Sequence, residues 1–479
     1  MMGSHKNERS LFAVSVDLEK RVRRDHPLRA LQATLGDLDW VRQEVSHCYG
    51  SKGHVSVDPI IIVKMMLLLF LDDVPSEREL MGVIAERMDY LWFLGYELDD
   101  TIPNHSVLSK ARARWGAEIF ESIFVRTVTM CVEAGLVDHQ RLLVDSSLVQ
   151  ANASKDSVQQ GNPKWVAAVR AACQAQEAKL DEAPVKGVNA THVSLTDPEA
   201  TLARKGQQTS HLAYKCHRAV DSAHGVITGV RTTTGQSGDA AQLPGLVSQH
   251  QAHAQQKPEV VVGDSHYGSA GNYRSCQSQG IVSHLKPVVA PRQKAGRFGP
   301  NDFCYDAAGD TLRCPAGKTL RRHSFKKSEH TIEYRIERRE HCLACPLRPQ
   351  CTTAKMGRTV VLPDQLERVQ AGKEQALSAA AKASYRVRRY CMEGSFADAA
   401  NNHGFKRARW RGLWRQQIQD WLIAAVQNLR LLMKMITSRP QAGGAVVVLF
   451  QRSGLLGPVL ALALLICSFS PDSSQSMPR

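Results

Sequence analysis

The sequence predicts an α/β fold in which helices flank a mixed sheet, and three observations carry this prediction. Residues 142–144 and 260–262 are short runs of β-branched and aliphatic side chains, typical of buried parallel strands. Residues 211–235 alternate polar and apolar side chains on either side of a turn at 222–225, which indicates an antiparallel hairpin. Residues 378–400 are charged and lack a period of two, so we expect a helix that lies over the sheet.

An acidic residue marks each of three predicted elements. Asp145 and Asp264 follow the two strand runs, and Glu393 lies in the predicted helix. Side chains at the carboxyl ends of neighbouring parallel strands converge on one crevice, where three carboxylates would repel one another unless cations held them. Oxygen ligands favour Mg²⁺ or Mn²⁺, and two such ions about 3.5–4 Å apart are suited to phosphoryl transfer on a nucleic-acid backbone. A strand-terminal Asp on its own is also a common turn former or helix N-cap.

Eight sequence segments, found in the same order, resemble the DDE transposases of bacterial insertion sequences, in the group whose third carboxylate belongs to a Tyr, Arg, Glu, Lys signature. The resemblance covers residues 55 to about 435. Its segments are VDPIIIVKMMLLLFL, TIPNHSVLSKAR, LLVDSSLVQANAS, HLAYKCHRAVDSAHGVITGV, VVVGDSHYGSAGN, CPAGKTL, HCLACPLRPQC and RRYCMEGSFADAANNHGFKRARWRGL.

The resemblance implies an RNase H-like catalytic core with a mixed five-stranded sheet, an all-α N-terminal domain and a Cys-rich insertion. It implies that Asp145, Asp264 and Glu393 are the catalytic triad and hold two Mg²⁺ or Mn²⁺ ions. Arg389, one helical turn before Glu393, is expected to steady the helix or the scissile phosphate.

The signature around Glu393 departs from the family pattern at two positions. Tyr385 lies one residue early, and Ala400 stands where the family has its Lys. Lys406 is the nearest downstream Lys and is the candidate substitute. A copy of the enzyme that has lost activity therefore stays open as an interpretation.

The activity implied by the resemblance is metal-dependent cleavage of DNA at the ends of a mobile element, followed by joining of the freed 3′-hydroxyl to target DNA. The implied partners are double-stranded DNA, as terminal inverted repeats and target, and a second copy of the chain in the DNA complex. The expected location is the bacterial cytoplasm, with the nucleoid. Two alternatives are a catalytically inactive DNA-binding remnant and a metal-dependent nuclease that does not transpose.

The charge balance agrees with a nucleic-acid partner, because 61 Lys and Arg residues outnumber 46 Asp and Glu residues and give a net charge of +15. A helix predicted to start near Asn104 could read element ends, and a basic segment after Glu393 interleaves cations with aromatic rings, an arrangement that can hold phosphates and stack on unpaired bases. A solvated helix face is the alternative for the first set, and Trp421 is expected in the core. The candidate DNA-binding residues are Lys110, Arg112, Arg114, Lys406, Arg407, Arg409, Trp410 and Arg411.

Five of the twelve cysteines lie between residues 304 and 351. In a reducing compartment, Cys342-x₂-Cys345 with Cys351 and Cys314 favours a structural zinc site over disulfides. Free thiols in a Cys-rich insertion are the alternative, and the substitutes for the fourth ligand are Cys304 or His341.

The predicted organisation has six parts. No membrane span is expected, because the apolar run after Pro59 and the apolar tail are both too short to cross a bilayer. The parts are an N-terminal tail at 1–19, a helical end-binding domain at 20–135, the first part of the core at 138–286 with a polar insertion at 151–208, a basic Cys-rich insertion at 287–360, the last part of the core at 361–437 and an apolar tail at 438–479.

Overall fold

The computed structural model describes residues 16–50, 55–176, 186–207, 209–288, 296–327 and 330–438. Its helices are α1 Leu18–Arg21, α2 Pro27–Leu35, α3 Asp39–Val45, α4 Pro59–Leu71, α5 Glu77–Glu86, α6 Met88–Leu94, α7 Ser106–Trp115, α8 Glu118–Glu133, α9 Pro163–Gln176, α10 Leu243–Ala254, α11 Ala270–Ser278, α12 Arg339–Leu343, α13 Arg348–Cys351, α14 Leu366–Leu377, α15 Ala379–Asn402 and α16 Leu413–Ser438. Its strands are β1 Arg141–Gln150, β2 Val158–Gln160, β3 His192–Ser194, β4 Thr201–Ala203, β5 His211–Asp221, β6 Ile227–Thr234, β7 Val260–Gly263, β8 Val282–Leu285, β9 Cys304–Asp306, β10 Thr311–Arg313, β11 Thr319–Lys326, β12 Thr331–Ile336 and β13 Thr359–Pro363.

The main sheet is mixed and has β1 at its centre. On one side β5 pairs with β1 antiparallel and β6 pairs with β5, which confirms the predicted hairpin. On the other side β7 pairs with β1 and β8 pairs with β7, both parallel, which confirms the two predicted parallel strands. The order β6-β5-β1-β7-β8 is that of an RNase H-like core.

The sheet has six strands rather than the five expected. The additional strand, β4, comes from the polar stretch at 151–208 and pairs with the start of β5 at residues 211–213, whereas β6 takes the rest of the same edge. The same stretch also contains α9 and the β2–β3 pair. The low apolar content of this stretch gave no prediction of these elements, because a short edge strand needs few apolar side chains.

The helices before β1 begin as their capping residues indicate. Asp58 caps α4 by accepting a hydrogen bond from the amide of Ile60 at 2.9 Å, with Pro59 at the first helical position. Ser76 likewise accepts from the amide of Glu79 and caps α5. The helix α5 ends at Glu86, because Arg87 takes an extended conformation, and α6 begins afterwards.

Apolar packing covers both faces of the main sheet. One face shares a hydrophobic core with α2–α8 and α16, in which α4 contributes eight buried side chains between Ile62 and Phe70. The other face packs against α10, α11 and α14. Trp421, expected in the core, is buried on α16 together with Ile418, Leu422, Ala425, Leu429 and Leu432.

Between β8 and α14 the chain forms a second sheet of five antiparallel strands, in the order β13-β12-β11-β10-β9. It has a small core of its own that includes Leu312, Leu320 and Tyr334. The helices α12 and α13 lie at its end and carry Cys342 and Cys351, with Cys345 in the loop between them. This sheet falls within the stretch expected to be a basic Cys-rich insertion.

The chain divides into a compact unit at residues 1–435 and a second unit at 436–479. The apolar tail predicted from residue 438 lies outside the described residues, apart from its first residue. Within the parts of the chain that the structure describes, no helix has the length and apolar character needed to cross a bilayer.

Candidate active site

Asp145 and Asp264 meet where the two central parallel strands stop pairing. The last parallel pair joins Leu143 to Val262, and β7 ends at Gly263, directly before Asp264. Asp145 does not end its strand as expected, since β1 continues to Gln150 in its pairing with β5. Because β7 ends first, Asp145 faces a crevice, and the side chains of Asp145 and Asp264 are 28% and 35% exposed.

Arg388 of α15 lies between the two carboxylates. Its Nη2 is 3.0 Å from Oδ1 of Asp145 and 3.7 Å from Oδ2 of Asp264. Its Nε donates a hydrogen bond of 2.8 Å to the carbonyl oxygen of Val144, which fixes the guanidinium in place. Nη2 itself makes no hydrogen bond of good geometry to any described residue. The position between the two acidic groups is thus one that favours positive charge.

The surroundings of Asp145 perturb its ionisation. Burial raises the pKa of Asp145 above its usual value, and the nearby charge of Arg388 opposes this by lowering it. The amide of Ser146 donates to Oδ1 of Asp145 at 2.8 Å and also lowers its pKa, whereas the charges of Asp264 and Asp239 raise it. Asp264 is held by the amide of His266, which donates to its Oδ1 at 2.9 Å.

The structure does not bring Glu393 to this pair. The inward face of α15 carries Ser384, Arg388 and Met392 at intervals of four residues, and Ser384 and Met392 are buried. Glu393 follows Met392 and is rotated from it by about 100° around the helix, and its side chain is exposed. Within the described ranges, no group of three or more His, Cys, Asp or Glu side chains is arranged to hold a metal ion.

Arg388, rather than the expected Arg389, contacts the acidic pair. Arg389 is exposed on the outer face of α15. The sequence held a signal for this choice, because Arg388 shares its helical face with Ser384 and Met392, whereas Arg389 shares the face of Glu393. Burial of the helix face was needed to decide between two adjacent arginines.

Two families of known domains match the sequence. The family described as "Transposase domain (DUF772)" matches residues 16–114, and the family described as "Transposase DDE domain" matches residues 313–433. Both matches are to transposase families, and together they support a DDE transposase of the insertion-sequence type. The second match includes Arg388 and Glu393, whereas Asp145 and Asp264 lie between the two matched ranges. Among curated proteins, no sequence matches the transposase.

Two solved structures align with the transposase at 10% sequence identity. The piggyBac transposase synaptic complex with hairpin DNA aligns over 87% of this chain and 82% of that chain, with a TM-score of 0.24. The Mos1 transposase paired-end complex with left transposon end aligns over 51% of this chain and 63% of that chain, with a TM-score of 0.17. The RNase H-like core is supported by the strand order β6-β5-β1-β7-β8 and not by these two alignments.

Lys406 lies close to the active site of the transposase. Its Nζ donates to the hydroxyl of Ser147 at 2.8 Å. Ser147 is two residues beyond Asp145 on β1 and therefore points to the same face of the sheet. The backbone fixes this placement, since Gln150 donates to the carbonyl of Lys406 at 2.9 Å and accepts from Ala408 at 2.8 Å. Lys406 thus reaches the same face as Asp145, although Ala400 leaves the family position of the Lys without a cation.

Three of the expected DNA-binding residues, Arg112, Arg409 and Trp410, contact other side chains of the protein instead of standing free on its surface. Arg112 is only 2% exposed, pairs with Glu77 and stacks on Trp410, with 3.8 Å from the guanidinium carbon to the ring. Arg409 pairs with Asp73 at 2.7 Å. Trp410 is half-buried and packs edge-on against a ring of α4. Desolvated cations need partners, so these three side chains hold the segment after α15 against the helices.

The other five expected DNA-binding residues have exposed side chains. Lys406 and Arg407 follow α15, and Arg411 follows them and donates through Nε to the carbonyl of Asn152 at 3.0 Å. On α7 the exposed pair is Lys110 and Arg114. These five remain candidates for contacts with phosphate groups.

The four cysteines assigned to zinc line one small cavity of about 30 Å³ at the end of the second sheet. His341 lines the same cavity, whereas Cys304 lies on β9, is exposed and does not line it. Two sulfur atoms accept backbone hydrogen bonds, Cys314 from Lys318 at 3.3 Å and Cys342 from Arg358 at 3.4 Å. The cavity lining therefore contains Cys314, Cys342, Cys345 and Cys351, although their sulfurs are not already gathered as a coordination sphere.

Proposed function

We propose that this transposase cuts DNA at the ends of its own mobile element and joins the freed 3′-hydroxyl to target DNA by divalent-metal-dependent phosphoryl transfer. The observation that carries the proposal is the meeting of Asp145 and Asp264 at the end of the central strands, with a cationic group between them. The proposed reaction takes place in the crevice at which β7 ends, because the side chains of Asp145 and Asp264 are partly exposed there.

The residues at the crevice fit a divalent cation. Both groups are carboxylates, the ligands that Mg²⁺ and Mn²⁺ prefer, and the guanidinium of Arg388 shows that positive charge is favoured between them. Two ions held by Asp145 and Asp264 would supply activation of an attacking hydroxyl and stabilisation of the leaving oxygen. For these ions to enter, Nη2 of Arg388 has to leave the space between the carboxylates.

Arg388 is the protein's own phosphate-binding group at this site. Its Nε bond to Val144 keeps the guanidinium at the crevice, while Nη2 pairs with the two carboxylates and becomes a donor to phosphate once cations replace it there. A planar guanidinium matches the geometry of a phosphate group. Arg388 therefore takes the role that the sequence had given to Arg389.

Glu393 is proposed as the third carboxylate, completing the shell of the second ion. Its exposed position on α15 means that the helix has to turn, or shift along the sheet, before this side chain reaches Asp145 and Asp264. DNA binding in the crevice is the event that supplies the free energy for such a change.

Double-stranded DNA, as the terminal repeats and the target, is the proposed partner, and two copies of the transposase pair the two ends. Support comes from the net charge of +15 and from exposed cations close to the active site. Lys406 is placed to hold a phosphate beside Asp145, because its Nζ lies on the same face of β1. The proposed location is the bacterial cytoplasm, where the nucleoid provides the DNA. The remaining contacts are assigned to Lys110, Arg114, Arg407 and Arg411.

A structural zinc ion is proposed for the second sheet. The cavity lined by the four cysteines has two backbone amides that already donate to sulfur, an arrangement that stabilises thiolates. A cysteine side chain moves its sulfur by rotation about one bond, and such rotations are needed to bring the four sulfurs together around an ion. His341 lines the same cavity and stays the substitute for one ligand.

The test is a nicking and strand-joining assay with Mg²⁺ or Mn²⁺ on a plasmid that carries the gene with its native flanking DNA. We expect the wild type to cut and join, and Asp264→Asn and Glu393→Gln to lose both reactions. Glu259→Gln, an exposed carboxylate at the opposite end of β7, is the matched control and is expected to keep them.

Two outcomes would contradict the proposal. Binding to the flanking DNA without metal-dependent cutting would favour an inactive DNA-binding remnant, an alternative that the exposed Glu393 and Ala400 support. Cutting without joining would instead identify a metal-dependent nuclease that does not transpose.

A further inference from the structure

We propose that Asp239 is a positioning residue of the catalytic centre, which anchors Ser146 beside Asp145 and adds a third negative charge to the metal-binding end of the sheet. The inference depends on the proposed function, because it concerns the same Asp145 and Asp264 pair. Neither family match covers residue 239.

Asp239 lies at the connection between β6 and α10, where it opens the short 3-10 turn Asp239–Gln242. Its side chain is 12% exposed, and its contacts are made through one oxygen, Oδ1. That oxygen accepts from the hydroxyl of Ser146 at 2.9 Å and from Nζ of Lys215 at 3.2 Å. Lys215 is held in turn by the carbonyl of Ser237 at 2.7 Å. Asp239 is thus a fixed carboxylate with one cationic partner.

Ser146 connects Asp239 to the catalytic Asp145. Its amide donates to Oδ1 of Asp145 at 2.8 Å, and its hydroxyl donates to Oδ1 of Asp239. A single residue therefore bridges the two carboxylates. Because the hydroxyl bond restrains Ser146, it also restrains the amide that orients the side chain of Asp145.

The surroundings of Tyr267 also indicate that Asp239 lies near Asp145 and Asp264. Its side chain is fully buried, and its hydroxyl has no hydrogen-bond partner among the described residues. Burial raises the pKa of Tyr267 well above its usual value, and the charges of Asp239, Asp145 and Asp264 raise it further. The charge of Asp239 therefore acts at the same point as the charges of the catalytic pair.

The contacts of His217 also support a functional role for Asp239. The imidazole is fully buried, with Nε2 and the hydroxyl of Thr233 2.9 Å apart. Its Nδ1 lies 3.6 Å from Oδ1 of Asp239 and has no hydrogen-bond partner among the residues described. Buried polar atoms are seldom left without partners, so an unpaired imidazole nitrogen beside Asp239 points to a functional cluster.

Asp239 could act on the metal site, or it could only neutralise Lys215. The two roles predict different directions of change in metal affinity when each charge is removed. Removing the charge of Asp239 should weaken cation binding, whereas removing the charge of Lys215 should strengthen it. A purely structural role predicts that both changes act in the same direction, by loosening the same cluster. Ser146→Ala keeps every charge and tests the hydroxyl link alone.

The experiment measures the affinity of the full-length transposase for Mn²⁺ alone by isothermal titration and electron paramagnetic resonance. We expect Asp239→Asn to bind Mn²⁺ about tenfold more weakly, and Lys215→Gln to bind it several-fold more tightly, as unit charges near a metal site require. Ser146→Ala should weaken binding by about threefold, because the amide that orients Asp145 loses the restraint of the bond between the Ser146 hydroxyl and the Asp239 carboxylate. Glu259→Gln, at the far end of β7, is the control and should match the wild type. Thermal unfolding of each variant checks that it folds.

The outcomes separate this inference from the proposed function. A wild-type protein that binds no Mn²⁺ overturns the proposed function, and the role of Asp239 with it. Wild-type binding with unchanged affinity in Asp239→Asn and Lys215→Gln overturns the role of Asp239 alone. If Asp239→Asn does not fold, weaker Mn²⁺ binding by Lys215→Gln than by the wild type contradicts the electrostatic role.

Discussion

At the scale of single residues, Arg388 occupies the space between the two aspartates of the candidate active site. One nitrogen, Nη2, lies within 3.7 Å of both Asp145 and Asp264, while Nε is bonded to the backbone of β1. A guanidinium in this position offsets the repulsion between two partly buried carboxylates. Under the proposed function, the same group would bind a phosphate once a metal ion takes its place between the carboxylates.

Exchanging Arg388 for Gln is expected to lower DNA nicking by about 100-fold, the effect typical of losing one charged donor at a phosphoryl-transfer site. Arg389→Gln, an adjacent and exposed position, should stay within about threefold of the wild type. Single-turnover nicking rates measure both. Equal losses in the two variants would show that the signature Arg acts through the general charge of α15.

At the scale of elements, an arginine and aromatic cluster fastens the segment after α15 to the N-terminal helices. Arg112 of α7 stacks on Trp410 and pairs with Glu77 of α5. Arg409 stacks on Phe70 of α4, with 4.7 Å between the guanidinium carbon and the ring. The segment from Lys406 to Arg411 is thereby held across the end of β1, with its exposed cations outward.

The buried and exposed cations of α7 should separate stability from DNA binding. Arg112→Ala leaves Glu77 without its partner in a desolvated site and should lower the free energy of unfolding by about 3–5 kcal/mol. Lys110→Ala should change it by less than about 0.5 kcal/mol but weaken binding to the element ends. Urea unfolding and a gel-shift titration measure the two properties. Unchanged stability of Arg112→Ala would show that its pairing with Glu77 contributes nothing.

The second sheet should depend on a metal ion. Cys345→Ser is expected to reduce the zinc content of the purified transposase from about one ion per chain to near zero, because a tetrahedral site loses one of its four ligands. Cys304→Ser, on β9 and outside the cavity, is the matched control and should retain the zinc. Elemental analysis measures both, and equal zinc in the two variants would show that the four thiols are free.

At the scale of the whole molecule, buried neutral histidines link stability to pH. His250 of α10 is fully buried beneath β6, with Nδ1 and the hydroxyl of Thr228 2.8 Å apart. Burial, together with the charges of His139 and His253, lowers the pKa of His250 to about 4. Between about pH 6.5 and pH 4 the unfolded chain therefore binds a proton that the folded chain does not.

The free energy of unfolding should consequently fall as the pH decreases through this window, by about 1.4 kcal/mol for each pH unit that His250 contributes. His250→Gln should flatten that part of the profile, whereas His224→Gln, an exposed position in the β5–β6 turn, should leave its slope unchanged. Denaturant unfolding at several pH values gives the slopes. Identical slopes in wild type and His250→Gln would show that His250 is already protonated in the fold.

The sequence by itself determined the elements whose residues carry a local signal. The runs at 142–144 and 260–262, the hairpin around Asp221 and the cap at Asp58 required only β-branching, alternation and a side chain that accepts an amide proton. The position of Asp264 followed from the end of such a run. The ordered family segments then indicated a transposase.

Tertiary structure alone decided which side chains meet. Arg388 and Arg389 are adjacent and chemically identical, and only the burial of one helix face turns Arg388 toward Asp145 and leaves Arg389 and Glu393 outward. Arg112 and Trp410 are nearly 300 residues apart in the chain, so no local pattern could show that they stack. The proximity of Asp239 to Asp145 likewise arises because Ser146 lies within reach of the β6–α10 connection. Composition and periodicity report on neighbours along the chain, whereas these contacts join distant segments through the sheet.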